Sequence, residues 1–257
     1  MKDWVQFIRE AYWEFRAGRG VDRRAFWAYL MQSVIDLRGV RIRIHRSLSY
    51  PVVRSILDAS YEASERNLLE GALRHDDVVV ELGAGLGYVS SVCARLTDSR
   101  RVFVYEANPM MEPLIRDTFR LNGVDPALHI CMVGKHAGTT TFHVSRDFWI
   151  SSTLPGAHHG QAVSVRVVPL REEMERTRPS VLIVDIEGGE YELFRDFPPH
   201  ACRLIMLELH PRVLGEERAT EVQRWIEAMG FRCSATLQDS YLYERMAAPV
   251  AHALPPQ

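Results

Sequence analysis

The sequence predicts an α/β fold: a mostly parallel sheet flanked by helices, with a helical segment ahead of it. Three observations carry this. From Ser47 onward, strand-like runs alternate with helical ones, the order that builds a parallel sheet with crossover helices. The uninterrupted apolar run Val78-Val79-Val80 suits a strand buried on both faces. That run enters a glycine-rich turn, and the helix after it carries Val89, Val92, Cys93 and Leu96 on one face, as packing on a sheet requires.

The first sixty residues differ in composition. They hold eleven Lys/Arg against six Asp/Glu, with nine aromatics from Trp4 to Tyr50. Trp4, Phe7, Ile8, Ala11, Tyr12 and Phe15 recur at helical spacing, as do Phe26, Tyr29, Leu30, Val34 and Leu37. Gly18 and Gly20 separate the two helices. A short strand Val40–Ile44 and a helix from Val52 follow. Residues 1–60 are therefore expected to form a helical cap or lid over a main domain spanning 61–246.

In the main domain the pattern predicts strands at Val78–Leu82, Val102–Glu106, Leu128–Val133, Val181–Ile186 and Leu204–Leu209. Helices are expected at Tyr88–Leu96, Met111–Leu121, Glu190–Phe197 and Glu217–Met229. Thr139–Val144 and Ala162–Val168 alternate in polarity and read as antiparallel or half-exposed strands. Between them runs the polar loop 145–161. Phe231–Ala235 and Ser240–Glu244 read as a closing hairpin at a sheet edge. The tail from Ala247, with three prolines, reads as disordered.

Composition excludes several classes. Thirty-one basic against thirty-three acidic residues give a net charge of −2, without the basic excess of a nucleic-acid binder. No apolar run approaches the roughly 18 residues needed to span a bilayer. The start, MKDWVQFIRE, has no signal-peptide core, so a cytoplasmic location is expected. Cys93, Cys131, Cys202 and Cys233 are widely spaced in apolar surroundings and read as reduced core residues.

The most informative stretch is Glu81-Leu82-Gly83-Ala84-Gly85-Leu86-Gly87. Bare glycine backbone and a helix N-terminus offer amide groups to a ligand. Nineteen residues beyond Gly87, Glu106 ends the second strand, placed to accept hydrogen bonds from a ribose diol. A dinucleotide site wants G-x-G-x-x-G, but its third glycine position is Tyr88 here. The G-x-G-x-G spacing resembles motif I of class I S-adenosylmethionine-dependent methyltransferases. A nicotinamide-dependent oxidoreductase and a non-catalytic cofactor-binding scaffold are the rival readings.

Further segments resemble the FkbM-type methyltransferase family over roughly Tyr61 to His210. They are Tyr61-Glu62 with Glu65, Glu106-Ala107-Asn108-Pro109, Leu121-Asn122-Gly123, the serine pair Ser151-Ser152, Asp185-Ile186-Glu187-Gly188-Gly189-Glu190, and Glu208-Leu209-His210. Ile183 stands where the family usually has lysine, and Glu81 and Gly85 replace its Asp and Asn. The resemblance implies a class I sheet of seven strands, mostly parallel. It also implies methyl transfer from S-adenosylmethionine, usually to a hydroxyl of a sugar, polyketide or other small molecule; nitrogen acceptors use the same donor pocket.

Cofactor contacts are then expected from Glu81, Gly83, Ala84, Gly85, Gly87, Glu106, Ala107, Asn108 and Asp185. Acceptor contacts are expected from Tyr61, Trp149, Ser151, Ser152 and Glu187. Strand-end acids are costly to bury unpaired, so Asp185, Glu187, Glu208 and His210 should converge on the reaction centre. His210 is the expected base, since imidazole titrates near neutrality; Asp185 would fix geometry and Glu208 would hold the ring. These four also offer hard oxygens and one imidazole to a cation, but the resemblance implies none and no metal is expected. The expected partner is a small-molecule acceptor, with no nucleic acid. The aromatic N-terminal helices read as core or lid before dimer contact or membrane foot, and oligomeric state is not legible.

Overall fold

The structure is a computed structural model, and it describes residues 2–144, 161–195 and 202–246. Helices α1 (Lys2–Arg16) and α2 (Arg23–Met31) lead into strands β1 (Val34–Leu37) and β2 (Val40–Arg43), then α3 (Tyr50–Leu57) and α4 (Ala63–Glu70). Strand β3 (Val79–Leu82), α5 (Tyr88–Leu96), β4 (Val102–Glu106), α6 (Glu112–Asn122) and β5 (Ala127–Ile130) come next. They are followed by β6 (Met132–Gly134), β7 (Gly138–Val144), β8 (Gln161–Pro169), α7 (Leu170–Thr177) and β9 (Val181–Val184). The remainder comprises α8 (Glu190–Phe194), β10 (Leu204–Glu208), α9 (Pro211–Leu214), α10 (Glu216–Ala228), β11 (Phe231–Leu237) and β12 (Ser240–Arg245).

Seven strands form one sheet in the order β11-β12-β10-β9-β3-β4-β5. The five strands from β10 to β5 are parallel, and the hairpin β11–β12 adds two antiparallel neighbours at one edge. This is the Rossmann-like, mostly parallel sheet that the alternating pattern predicts. Alternate strand residues bury on opposite faces. Val79, Val104, Ile183 and Met206 join a core with α5, α6 and the N-terminal elements. Val80, Leu82, Leu182, Val184, Ile205 and Leu207 join a second core with α7, α8 and α10.

The N-terminal segment belongs to the first of these cores. Phe7, Tyr29 and Tyr50 are buried in it together with Val102 and Ile115, and Phe7 stacks on Tyr29 with ring centroids 3.9 Å apart. Asn122 fastens the β1–β2 hairpin to α6: its Oδ1 accepts from the Arg41 amide and its Nδ2 donates to the Arg41 carbonyl, both at 2.8 Å. The Leu121-Asn122-Gly123 motif thus has a structural role here.

Three local readings are corrected. Val34 and Leu37 do not continue the second helix, which ends at Met31 with Gln32 in the left-handed region. They form β1, and the turn Arg38-Gly39 has positive φ at both residues (54° and 90°), the geometry of a tight hairpin turn. The segment Leu128–Val133 is not one strand. It divides at Cys131, so that β5 stays in the main sheet and β6 joins β8 and β7 in a separate three-stranded sheet. Cys233 is only half-buried, while the other three cysteines are buried; all four are free. Residues 247–257, expected to be disordered, lie outside the described residues. No described helix is long and apolar enough to cross a membrane.

Candidate active site

Strand order reverses between the parallel neighbours β3 and β9, the point where open α/β sheets bind ligands outside the strands' carboxyl ends. A cavity of about 640 Å³ lies there, lined among others by Gly83, Gly85, Glu106, Asp185, Glu187 and Glu208. That volume is in the range of small-molecule sites. Two backbone hydrogen bonds close the crevice floor: Gly83 donates to Tyr105 and Asp185 donates to Leu82, each at 2.9 Å.

The loop glycines serve different ends. Gly83 has φ +86°, and a Cβ there would lie 1.6 Å from the Asp185 carbonyl oxygen, so only glycine allows the β3 and β9 loops to touch. Gly87 has φ +75°, and its Cβ would meet Phe119 at 2.9 Å and Ile115 at 3.1 Å. Its task is the packing of α5 on α6, away from the cavity wall.

Glu106 shapes the loop from the next strand. Its carboxylate accepts from the Ala84 amide at 3.0 Å and the Asn108 amide at 2.7 Å. Burial raises its pKa, opposed by these amides and those of Gly85 and Ala107. The Tyr61 hydroxyl accepts from the Leu86 amide at 3.2 Å, bracing the loop from the other side. Glu81 faces away. Its register with Val79 turns it toward α5, where Ser90 donates to it, and burial pushes its pKa up to about 8.

An ionisable cluster closes the other wall. His210 Nδ1 pairs with Glu190 Oε1 at 2.8 Å, while Nε2 lies 3.1 Å from Glu187 Oε2, 3.6 Å from Asp185 Oδ1 and 3.9 Å from Glu208 Oε1. Burial alone would lower the His210 pKa, but the Glu190 hydrogen bond and the charges of Asp185, Glu187 and Glu190 outweigh it and raise it to about 10. Burial also lifts the acids: Glu187 to about 7, Glu208 to about 9, and Asp185 well above its ordinary value. Backbone strain collects at the same place. Glu62 and Glu187, both lining the cavity, adopt left-handed φ of 46° and 53°, a cost of about 1–3 kcal/mol each that tends to mark functional sites.

Of the residues expected at the site, Tyr61, Gly83, Gly85, Glu106, Ala107, Asp185, Glu187 and Glu208 line the cavity. Glu81, Ala84, Gly87, Asn108 and His210 do not. Asn108 instead caps the short turn after β4, accepting from the Met110 amide at 3.0 Å. Trp149, Ser151 and Ser152 lie outside the described residues. His210 differs most from expectation: it stands behind the cavity lining, and the Glu190 hydrogen bond with the surrounding carboxylates raises its pKa above the neutral range of a free imidazole. Its ring is held by Glu190 rather than Glu208. Sequence reading missed Glu62, Lys135 and Arg218 on the wall; only Glu62 had a signal, its place in the Tyr61-Glu62 pair.

No curated protein sequence matches the chain. Among solved structures, similarity is found to a precorrin-6y C5,15-methyltransferase from Geobacter metallireducens (14% identity, 73% of this chain and 88% of that one, TM-score 0.46). A ribosomal protein L11 methylase from Lactobacillus delbrueckii subsp. bulgaricus is similar at 11% identity over 70% and 76%, TM-score 0.41. A fibrillarin from Aeropyrum pernix with natively bound S-adenosyl-L-methionine is similar at 12% identity over 70% and 72%, TM-score 0.37. The family model described as the methyltransferase FkbM domain matches residues 78–233, well over half of the chain. The chain belongs to the FkbM methyltransferase family.

Proposed function

We propose that the protein transfers a methyl group from S-adenosylmethionine to a hydroxyl of a small molecule. The observation that carries this is the cavity at the strand-order reversal, walled on one side by the bare backbone of Gly83 and Gly85 and the Glu106 carboxylate, and on the other by Asp185, Glu187 and Glu208. The residues fit the donor. Positive φ at Gly83 and Gly85 (86° and 52°) leaves the loop backbone bare, and Glu106 ends the second strand of the parallel sheet, where a ribose diol is recognised. When bound, the donor supplies an electrophilic methyl on a sulfonium.

The chain's own part is alignment and proton removal. Alignment of donor and acceptor supplies much of the acceleration in such a displacement. The acceptor enters between the glycine loop and the acidic wall, and its hydroxyl proton leaves toward Glu187, which lines the cavity and whose pKa burial lifts to about 7. His210, behind that wall, is held by Glu190 and faces Asp185 and Glu187. Apolar Leu82, Met111, Val133 and Phe142 complete the lining and favour an acceptor with a hydrophobic body.

Glu106→Ala is expected to weaken donor binding by about 100-fold or more. It removes the ribose acceptor together with two loop hydrogen bonds, each worth about 1.5 kcal/mol when the acceptor is charged. Glu106→Gln keeps one acceptor oxygen and should lose less; titration calorimetry of both variants checks the order. The functional reading itself is tested by incubating the protein with methyl-labelled donor and fractionated metabolite extracts. Label on a small hydroxylated product supports it. Label confined to protein, RNA or an amine overturns the hydroxyl assignment.

A further inference from the structure

The cluster around His210 has a geometry that an alignment-and-proton role does not require. Glu190, the first residue of α8, is fully buried and uses one oxygen twice, toward His210 Nδ1 at 2.8 Å and the Gly188 amide at 3.1 Å. That contact makes Nδ1 the donor and turns Nε2 toward Asp185 and Glu187. A carboxylate behind the ring is how proteins orient metal-binding histidines.

The distances in front of the ring agree. Ligand atoms about 2.1 Å from a shared ion lie roughly 3.0–3.4 Å apart at octahedral or tetrahedral angles. His210 Nε2 stands 3.1 Å from Glu187 Oε2 and 3.6 Å from Asp185 Oδ1, and the three ligand atoms all lie within 4.8 Å of one another. Two buried oxygens of the cluster, Asp185 Oδ1 and Glu190 Oε2, have no hydrogen-bond partner among the described residues, although such orphans are costly. For Asp185 a cation would supply the missing partner.

We propose that Asp185, Glu187 and His210 bind a divalent first-row cation, with Glu190 as the positioning residue that orients the imidazole. One nitrogen and two carboxylate oxygens suit Mn²⁺, Fe²⁺ or Zn²⁺ better than Mg²⁺ or Ca²⁺, which prefer oxygen alone. Asp185 and Glu187 also line the cavity, so the ion borders the space proposed for the acceptor. The site stands on these side chains alone and needs neither methyl donor nor acceptor.

The test titrates Mn²⁺ alone into the full chain, with free Mn²⁺ followed by its electron paramagnetic resonance signal. One ion per chain is expected. Glu187→Gln and His210→Ala should each abolish that stoichiometric binding, Glu190→Gln should weaken it by about 10–100-fold, and Glu172→Gln on the exposed surface of α7 should leave it unchanged. Circular dichroism establishes that each variant is folded; if His210→Ala is not, the near-isosteric Glu187→Gln decides. Absence of stoichiometric binding to the wild type, or undiminished binding in a folded Glu187→Gln chain, overturns the site. Mn²⁺ binding without any donor binding would leave this site standing and sink the proposed function, and the converse would do the opposite.

Discussion

Gly83→Ala is expected to abolish methyl transfer and lower stability by about 3 kcal/mol or more. The added Cβ would lie 1.6 Å from the Asp185 carbonyl oxygen and 2.8 Å from its carbon, so the backbone itself must move. Overpacking of this kind costs about 1–3 kcal/mol, and left-handed backbone adds about 1–2 for a residue with a Cβ. The movement also strains the hydrogen bonds from Gly83 to Tyr105 and from Asp185 to Leu82, which set the two walls of the cavity. A misplacement of about 1 Å costs on the order of 10²-fold in rate. Gly71→Ala is the control: no atom of the described residues lies within 4 Å of its Cβ position, so melting temperature and activity should hardly change. A Gly83→Ala protein that melts and turns over like wild type would contradict the crevice geometry.

The second large effect is on the fold. Asp77 is 3% exposed and ties together the starts of three adjacent strands. It accepts from Arg203 Nε at 2.9 Å, from the Ser180 hydroxyl at 2.7 Å and from the Arg74 amide at 2.7 Å. Asp77→Ala is expected to cost about 3–5 kcal/mol at neutral pH, because Arg203 keeps its charge and loses its partner. Burial pushes the Asp77 pKa up, but Arg203, Arg74 and Ser180 outweigh it and hold the carboxyl below its ordinary value. Its contribution is therefore present above the unfolded pKa of about 3.9 and lost as pH falls through the folded one. In urea titrations the deficit of Asp77→Ala should be full at pH 7 and shrink below about pH 4. An equal deficit at pH 3 and pH 7 would show that the charge is not responsible.

The sheet was legible because its strands repeat a simple signal, apolar runs bounded by glycine or acid, with helical periodicity between them. The glycine loop was legible as a unit, but the tasks of its glycines were not. Nothing in G-x-G-x-G shows that Gly83 meets the β9 loop while Gly87 meets Phe119, contacts with residues 102 and 32 positions away. Glu81 was misplaced for a related reason. Position in a motif does not give the face of the strand, and its register with Val79 turns it to Ser90. Asp185, Glu187, Glu208 and His210 lie close together at the strand ends, but the partner that holds the His210 ring is Glu190, one helix away. At the N-terminus, the three-residue spacing of Val34 and Leu37 fits a helical period; in the strand they form, they take opposite faces, Val34 exposed and Leu37 buried. The hairpin prevailed because β1, β2 and α6 share one core.

The central claim is that the β3–β9 crevice is a methyl-donor site, and direct binding tests it most simply. Calorimetry of the full chain with S-adenosylmethionine, S-adenosylhomocysteine and NAD should show one site per chain for the first two and none for NAD. The same site should weaken by about 100-fold in Glu106→Ala, since that carboxylate holds the loop and is proposed to meet the ribose. Binding of NAD without either sulfur compound would contradict the account and assign the glycine loop to a dinucleotide.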